Sequence, residues 1–208
     1  MKGIDSESII CCSFSKNQKK ILYSDDYCGN FQIYEYSIEH ETSVCLVQSR
    51  VENLLANCFM LNDQVVIFQS DGGDEVNNIY SYDVNTRKQR KITDYQAGKV
   101  KFITKINESN IVFRYQQNYY LFNVNRFSVM DKLSVNRRIS YLGYDITKKR
   151  WLYTMEDERS WIIPDFKIRP GKQEVPLRIN IDSGYLITGK RAEDKAVEFY
   201  IKIRSCKF

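Results

Sequence analysis

Asp71-Gly72-Gly73-Asp74-Glu75-Val76-Asn77-Asn78, leading into Ile79-Tyr80-Ser81-Tyr82-Asp83-Val84, is the stretch that decides the fold. It reads as an acidic, glycine-containing turn feeding an alternating strand. A weaker copy lies upstream, as Asp25-Asp26-Tyr27-Cys28-Gly29-Asn30 followed by Ile33-Tyr34-Glu35-Tyr36-Ser37-Ile38. The two Ile-Tyr-x-Tyr cores start 46 positions apart (79 − 33). A repeat of that length built from strands predicts propeller blades.

A second series supports the period. Ile21-Leu22-Tyr23, Val66-Ile67-Phe68, Ile111-Val112-Phe113 and Trp151-Leu152-Tyr153 start 45, 45 and 40 positions apart. Around them the chain divides into units at about 9–47, 51–94 and 100–133, each a four-stranded meander with short turns. A fourth unit from about 139 is less regular. Its clearest strands are 139–144, 151–155 and 161–168, and Pro164 pushes the last towards a sheet edge. Strands at 175–181, 185–188 and 197–204 complete the fourth unit and supply part of a fifth. Residues 190–196 are the best helix candidate, a weak one. The expected fold is all-β: a β-propeller-like array of four or five four-stranded antiparallel blades in one domain spanning residues 1–208. That is the low end of the usual ~4–8 blades. A small closed ring, an open arc and an arc completed by another chain all fit.

Composition agrees with a globular sheet protein. Hydrophobic residues make up 43% and aromatics 13%, including 15 Tyr and 11 Phe, side chains that suit half-buried pleated surfaces. Only three prolines interrupt candidate strands. The net charge is +5, with both signs interspersed. The basic runs at 16–20, 87–91, 137–138 and 148–150 fall where turns are expected, so solvated charge explains them and a nucleic-acid partner is not expected. The six cysteines, at positions 11, 12, 28, 45, 58 and 206, form no CxxC pair. Buried, reduced thiols are expected, and no metal centre or cofactor. The Met1-Lys2-Gly3-Ile4-Asp5-Ser6-Glu7 start lacks the apolar core of a signal peptide, and no apolar run is long enough for a membrane helix. A cytoplasmic protein without a membrane partner is the expectation. The Asn107-Glu108-Ser109 sequon is then a coincidence.

Ser13-Phe14-Ser15-x-Asn17-x-Lys19-Lys20-Ile21-Leu22-Tyr23-Ser24, followed by Gly29-Asn30-x-Gln32-Ile33-Tyr34, resembles the repeats of the Tol-system propeller. It also resembles those of prolyl-oligopeptidase-like peptidases, whose pattern is Ser-Pro-Asp-Gly-Lys-x-Ile-Ala-Tyr. The stretch 71–84 with Ile92-Thr93 matches best, and the resemblance covers about the first 125 residues. Asn17-Gln18 stands where the pattern has Asp-Gly. No Gly-x-Ser-x-Gly elbow occurs, so the resemblance implies a blade and no peptidase chemistry.

No catalytic constellation competes with that reading. His40, the only histidine, falls in a predicted turn. A sugar-binding or lyase-type propeller would need a metal or histidine in its channel, and His40 is not placed for that. Asp71, Asp74 and Glu75 lack the ordered spacing of a calcium loop and read as a solvated hairpin tip. Glu156-Asp157-Glu158-Arg159 reads as a polar turn. Arg114, Tyr115, Tyr119, Tyr120, Phe122 and Arg126 could stack bases, but a near-period-two alternation makes them strand residues.

The expected function is therefore a non-catalytic protein-interaction scaffold. Its candidate partner-binding residues are Asp71, Asp74, Glu75 and Asn77 on one turn, with Asp25, Asp26 and Asn30 on the equivalent turn. Another protein is the expected partner, and a homo-oligomer could complete the ring. Replacing residues 71–75 with alanine should weaken capture and leave thermal stability nearly unchanged. The alternative is the propeller portion of a prolyl-oligopeptidase-like hydrolase lacking its catalytic domain.

Overall fold

A computed structural model describes residues 8–73, 76–134, 139–155, 174–180, 185–191 and 197–203. The chain divides into two compact units, Met1–Ser134 and Val135–Phe208. All regular structure among the described residues is β.

The first unit holds three antiparallel meanders. Strands β1 (Ile9–Phe14), β2 (Lys20–Asp25), β3 (Gln32–Ser37) and β4 (Thr42–Val47) form one sheet in chain order. Strands β5 (Leu54–Met60), β6 (Val65–Ser70), β7 (Asn78–Asp83) and β8 (Lys88–Lys91) form the next. The third contains β9 (Val100–Asn107), β10 (Asn110–Tyr115), β11 (Asn118–Asn123) and β12 (Ser128–Ser134). These are the expected blades, with boundaries within a few residues of those read from the sequence. The basic run 87–91 is a correction: only Arg87 is in the turn, and Lys88–Lys91 is an outer strand whose four residues are all exposed.

Blades stack because the middle one is apolar on both faces. Along β6, Val66 and Phe68 pack with Leu22, Ile33, Ala56 and Phe59. The alternate residues Val65 and Ile67 pack with Val100, Ile111, Phe113 and Phe122. Period-two alternation thus sends successive side chains into two different cores. A single blade could not bury either face alone.

The repeat also appears in backbone detail. The β1–β2 ladder slips at Cys11/Ser13, β5–β6 at Ala56/Cys58, and β9–β10 opposite Val112/Phe113. One residue is extra at the same register each time, as in a β-bulge. The turns into the outer strands repeat as well. Ser37 Oγ accepts from His40 N at 3.3 Å, Asp83 Oδ1 from Thr86 N at 2.7 Å, and Asn123 Oδ1 from Arg126 N at 2.8 Å. Each turn then closes through a left-handed residue, Glu41, Arg87 or Phe127, at φ 51°, 55° and 53°. Such short side-chain-capped turns fix hairpin register.

In the second unit, β13 (Ile139–Asp145) pairs with β14 (Arg150–Met155). Strands β15 (Glu174–Asn180), β16 (Tyr185–Arg191) and β17 (Val197–Ile203) form a three-stranded sheet. The same bulge recurs at Tyr141/Gly143 in β13 and at Pro176/Arg178 in β15. By that mark, β13–β14 is the inner pair of a fourth blade, and β15–β17 are three strands of a fifth. Pro176 is tolerated beside the bulge, where the ladder is already interrupted. The expected strand at 161–168 lies outside the described residues. So does the helix candidate, except that Lys190 and Arg191 belong to β16.

Candidate interaction surface

The two turns singled out from the sequence lie at the same end of adjacent blades, and Asn53 in the linker between those blades joins them. Asn53 N donates to Asp71 Oδ1 at 2.9 Å, and Asn53 Nδ2 donates to Asp71 Oδ2 at 2.8 Å. Asp71 N returns a bond to Asn53 O at 3.3 Å. On the other side, Phe31 N donates to Asn53 Oδ1 at 3.3 Å and Leu54 N to Phe31 O at 2.9 Å. Gly73 N also donates to Asp71 Oδ1, at 3.0 Å. Partial burial pushes the Asp71 carboxyl upward, but the bonds from Asn53 and Gly73 outweigh it and hold the group below its usual range.

The other candidates are also engaged in shaping turns. Asp25 Oδ1 accepts from Tyr27 N at 2.8 Å, and Asp26 Oδ1 from Ser8 N at 3.1 Å. Asn30 Nδ2 donates to Arg50 O at 2.9 Å. Asn77 contributes its carbonyl, which accepts from Val100 N at 3.1 Å, 46 positions after the Leu54–Phe31 bond. Asp74 and Glu75 lie outside the described residues. Asp71 is therefore a brace between blades. Its replacement removes charge-assisted bonds, so the expectation of near-neutral stability does not hold at that position.

What these braces present is an aromatic and an aliphatic side chain in water. Tyr27 is 61% exposed and Val51 73% exposed, on the first turn and the joining linker. Gly73 sits close under that linker: at φ +76°, a Cβ there would lie 3.4 Å from Val51 O. Deeper in the same face is a repeated amide clamp. Gln32 is buried and bonds Ser49 through both ends of its amide, with Nε2 to Ser49 O at 2.9 Å. Asn78, also buried, donates to Tyr95 O at 3.1 Å and accepts from Tyr95 N and Thr93 Oγ1 at 3.0 Å. Each holds the linker that leaves its own blade. Sequence reading missed this clamp, although Gln32-Ile33 and Asn78-Ile79 repeat at the 46-residue spacing. Asn53 had no such signal, because the residue 46 positions later is Lys99.

The opposite end of the blades carries its own chain of bonds. Lys16 N donates to Asp63 Oδ1 at 2.9 Å and Lys16 Nζ to Asn62 Oδ1 at 2.8 Å. Asn62 N donates to Glu108 Oε2 at 3.0 Å. Leu61, Asn62 and Asp63 are all left-handed, at φ 54°, 54° and 68°, a strained run that these bonds hold. His40 is exposed in the β3–β4 turn.

The remaining candidates resolve individually. Arg114 is exposed, whereas Tyr119 and Phe122 are buried, as expected of strand residues divided between core and surface, and the three do not form one base-stacking platform. Glu156 to Arg159 lie outside the described residues. Cys28 and Cys45 are exposed, and only Cys58 of these three thiols is buried, which corrects the expectation of uniformly buried cysteines. Their exposure follows from position: Cys28 is in a turn and Cys45 in an outer strand. Among the described residues, no group of three or more His, Cys, Asp or Glu is placed to hold a metal ion, and no helix is long and apolar enough to cross a membrane.

No protein-family model and no curated protein matches the chain. Solved structures do. TolB from Acinetobacter baumannii is 14% identical, with a TM-score of 0.55, over 93% of this chain. The β-propeller domain of the trilobed protease from Pyrococcus furiosus is 10% identical, with a TM-score of 0.59, over 96% of this chain and 70% of that domain. Acylaminoacyl peptidase from Pyrococcus horikoshii is 9% identical, with a TM-score of 0.55, over 95% of this chain and 38% of that one. The chain spans about half the length of the TolB structure, 54%. At these identities the likeness establishes a propeller fold of the type seen in TolB and in prolyl-oligopeptidase-like peptidases, and nothing further.

Proposed function

We propose that this chain is a non-catalytic scaffold that binds another protein through the braced end of its first two blades. The observation that carries the reading is the Asn53 junction. It fixes two neighbouring turns to one another and leaves Tyr27 and Val51 exposed on that frame. A rigid aromatic on a preorganised surface loses little freedom on binding and makes a good anchor. The test is photo-crosslinking in an extract of the native cells, with a photoreactive side chain at position 27 or, as a control, at position 40 on the opposite end. Adducts specific to position 27, and lost in Val51→Asp, are expected. Equal labelling at both positions would refute the assignment.

The likeness to acylaminoacyl peptidase supports a second reading, in which the chain is the propeller portion of a hydrolase. Identifying the captured protein decides between them. A partner carrying a nucleophile-elbow hydrolase domain favours the second.

A further inference from the structure

One cross-strand position recurs through the blades and changes character once. The residue before each bulge pairs with the second strand as Ile10–Ser24, Leu55–Gln69, Lys101–Arg114, Ser140–Thr154 and Val175–Gly189. The third pair is doubly cationic and the others are neutral. In the first two blades the second-strand residue bonds the next blade. Ser24 Oγ accepts from Ala56 N at 2.8 Å, and Gln69 Oε1 accepts from Phe102 N at 3.2 Å. Gln69 Nε2 also donates to Val100 O at 2.8 Å. Ala56 and Phe102 hold the same place beside their bulges. Arg114 is not suited to this role, because a guanidinium carries only donors. Burial follows the chemistry: Ser24 is buried, Gln69 half-buried and Arg114 exposed.

The exchange is unfavourable by itself. Directly opposed side chains stand about 5 Å apart at Cβ, where like charges repel. The row across the third blade, Lys101–Arg114–Tyr119–Leu133, contains no carboxylate to offset them. Among the described residues neither cation has an ion pair, whereas Lys20 is matched by Glu35, Lys91 by Asp94 and Lys105 by Glu108. Lys101 is exposed, as Arg114 is. An oxyanion between them would relieve the repulsion and accept a bond from each, and the planar guanidinium suits a carboxylate.

Position indicates where that oxyanion comes from. Val100 N bonds Asn77 O as Leu54 N bonds Phe31 O, so the start of β9 lies at the same end of the blades as Tyr27 and Val51. Lys101 is the second residue of β9, and Arg114 is opposite it near the end of β10. We propose that Lys101 and Arg114 form a carboxylate-binding site for an acidic segment of the partner protein. The choice of a protein rests on the function proposed above. A nucleic acid is disfavoured because bases find no stacking platform in this row, where Tyr119 is buried.

The probe is a fluorescein-labelled hexaglutamate peptide, followed by fluorescence anisotropy at about 10 mM salt, where charges act over about 30 Å. Arg114→Gln and, independently, Lys101→Leu adopt the second blade's residues at this position. Each should weaken binding roughly fivefold, as expected for one exposed charge contact. Both variants should unfold at a urea concentration no lower than the parent's, since each relieves the repulsion. Arg87→Gln, at an exposed cation in the β7–β8 turn, should leave binding unchanged. Absence of peptide binding, an equal loss in Arg87→Gln, or binding indifferent to both Arg114→Gln and Lys101→Leu would each overturn the proposal. So would tighter, Arg114-dependent binding of an oligothymidylate of equal charge, which would assign the site to nucleic acid. The position-27 crosslink is read on the parent chain and distinguishes the two failures. Its loss refutes the proposed binding end, whereas its persistence without peptide binding refutes only the carboxylate site.

Discussion

Asn53→Ala is the perturbation that most directly tests how the first two blades are joined. It removes the Nδ2 bond to Asp71 at 2.8 Å and the bond from Phe31 N at 3.3 Å, and leaves the backbone bonds in place. The first is charge-assisted and contributes about 1.5 kcal/mol at this partly exposed site, and the longer one about 0.5 kcal/mol. A loss of about 2 kcal/mol is expected. Asp71→Ala should cost about 3 kcal/mol, since it also frees the N–H groups of Asn53 and Gly73. Because the pair shares one bond, the double variant should fall short of additivity by about 1.5 kcal/mol. The assay is urea unfolding followed by far-ultraviolet circular dichroism on the four corners of the cycle. Asp71 has a folded pKa below its unfolded value. Its contribution is therefore complete above the ordinary aspartate pKa of about 3.9 and is lost as pH falls through the lowered folded value. The coupling should be constant from neutral pH down to about 5 and vanish in stronger acid. Strict additivity at pH 7 would refute the bridging role of Asn53.

Phe59→Ala, at a fully buried position, should cost about 3–5 kcal/mol, whereas Phe14→Ala at the same register should change stability by less than about 0.5 kcal/mol. Urea midpoints measure both, and similar costs would contradict the difference in burial. Arg90 lies over the Phe127 ring with its guanidinium carbon 3.5 Å from the centroid. Arg90→Ala should cost about 0.5–1 kcal/mol, with Arg90→Lys recovering only part of it, because the flat stacking is lost. Glu108 is pushed up by burial but held below its usual range by Lys105 and the Asn62 N–H. Glu108→Ala should cost about 1–2 kcal/mol by releasing the left-handed turn. That cost should shrink as pH falls through the lowered folded value of Glu108, and a pH-independent loss between pH 7 and pH 3 would count against the ion-paired brace.

The strands and their order were legible from the chain because they depend on local signals. Ile79-Tyr80-x-Tyr82 and Ile33-Tyr34-x-Tyr36 declare sheet, and their 46-residue spacing declares repetition. The turns were legible for the same reason, since Asp83, Asn123 and Ser37 cap their own hairpins within three residues. The Gln32–Asn78 clamp was visible in principle, but a polar residue before a strand reads as part of a turn until its burial is known.

Other features have no local signature. Nothing near Asn53 announces that its amide spans two turns, because its partners lie 22 and 18 positions away on different blades. Nor does the composition of a strand say whether its apolar residues will be covered: Phe14 and Phe59 occupy one register, and only the stacking of whole sheets separates them. The chain's own pattern thus determined blades, their turns and their period, since alternation and turn chemistry act within a few residues. Tertiary structure alone decided which faces meet and which stay in water, because burial depends on a neighbour supplied by distant chain.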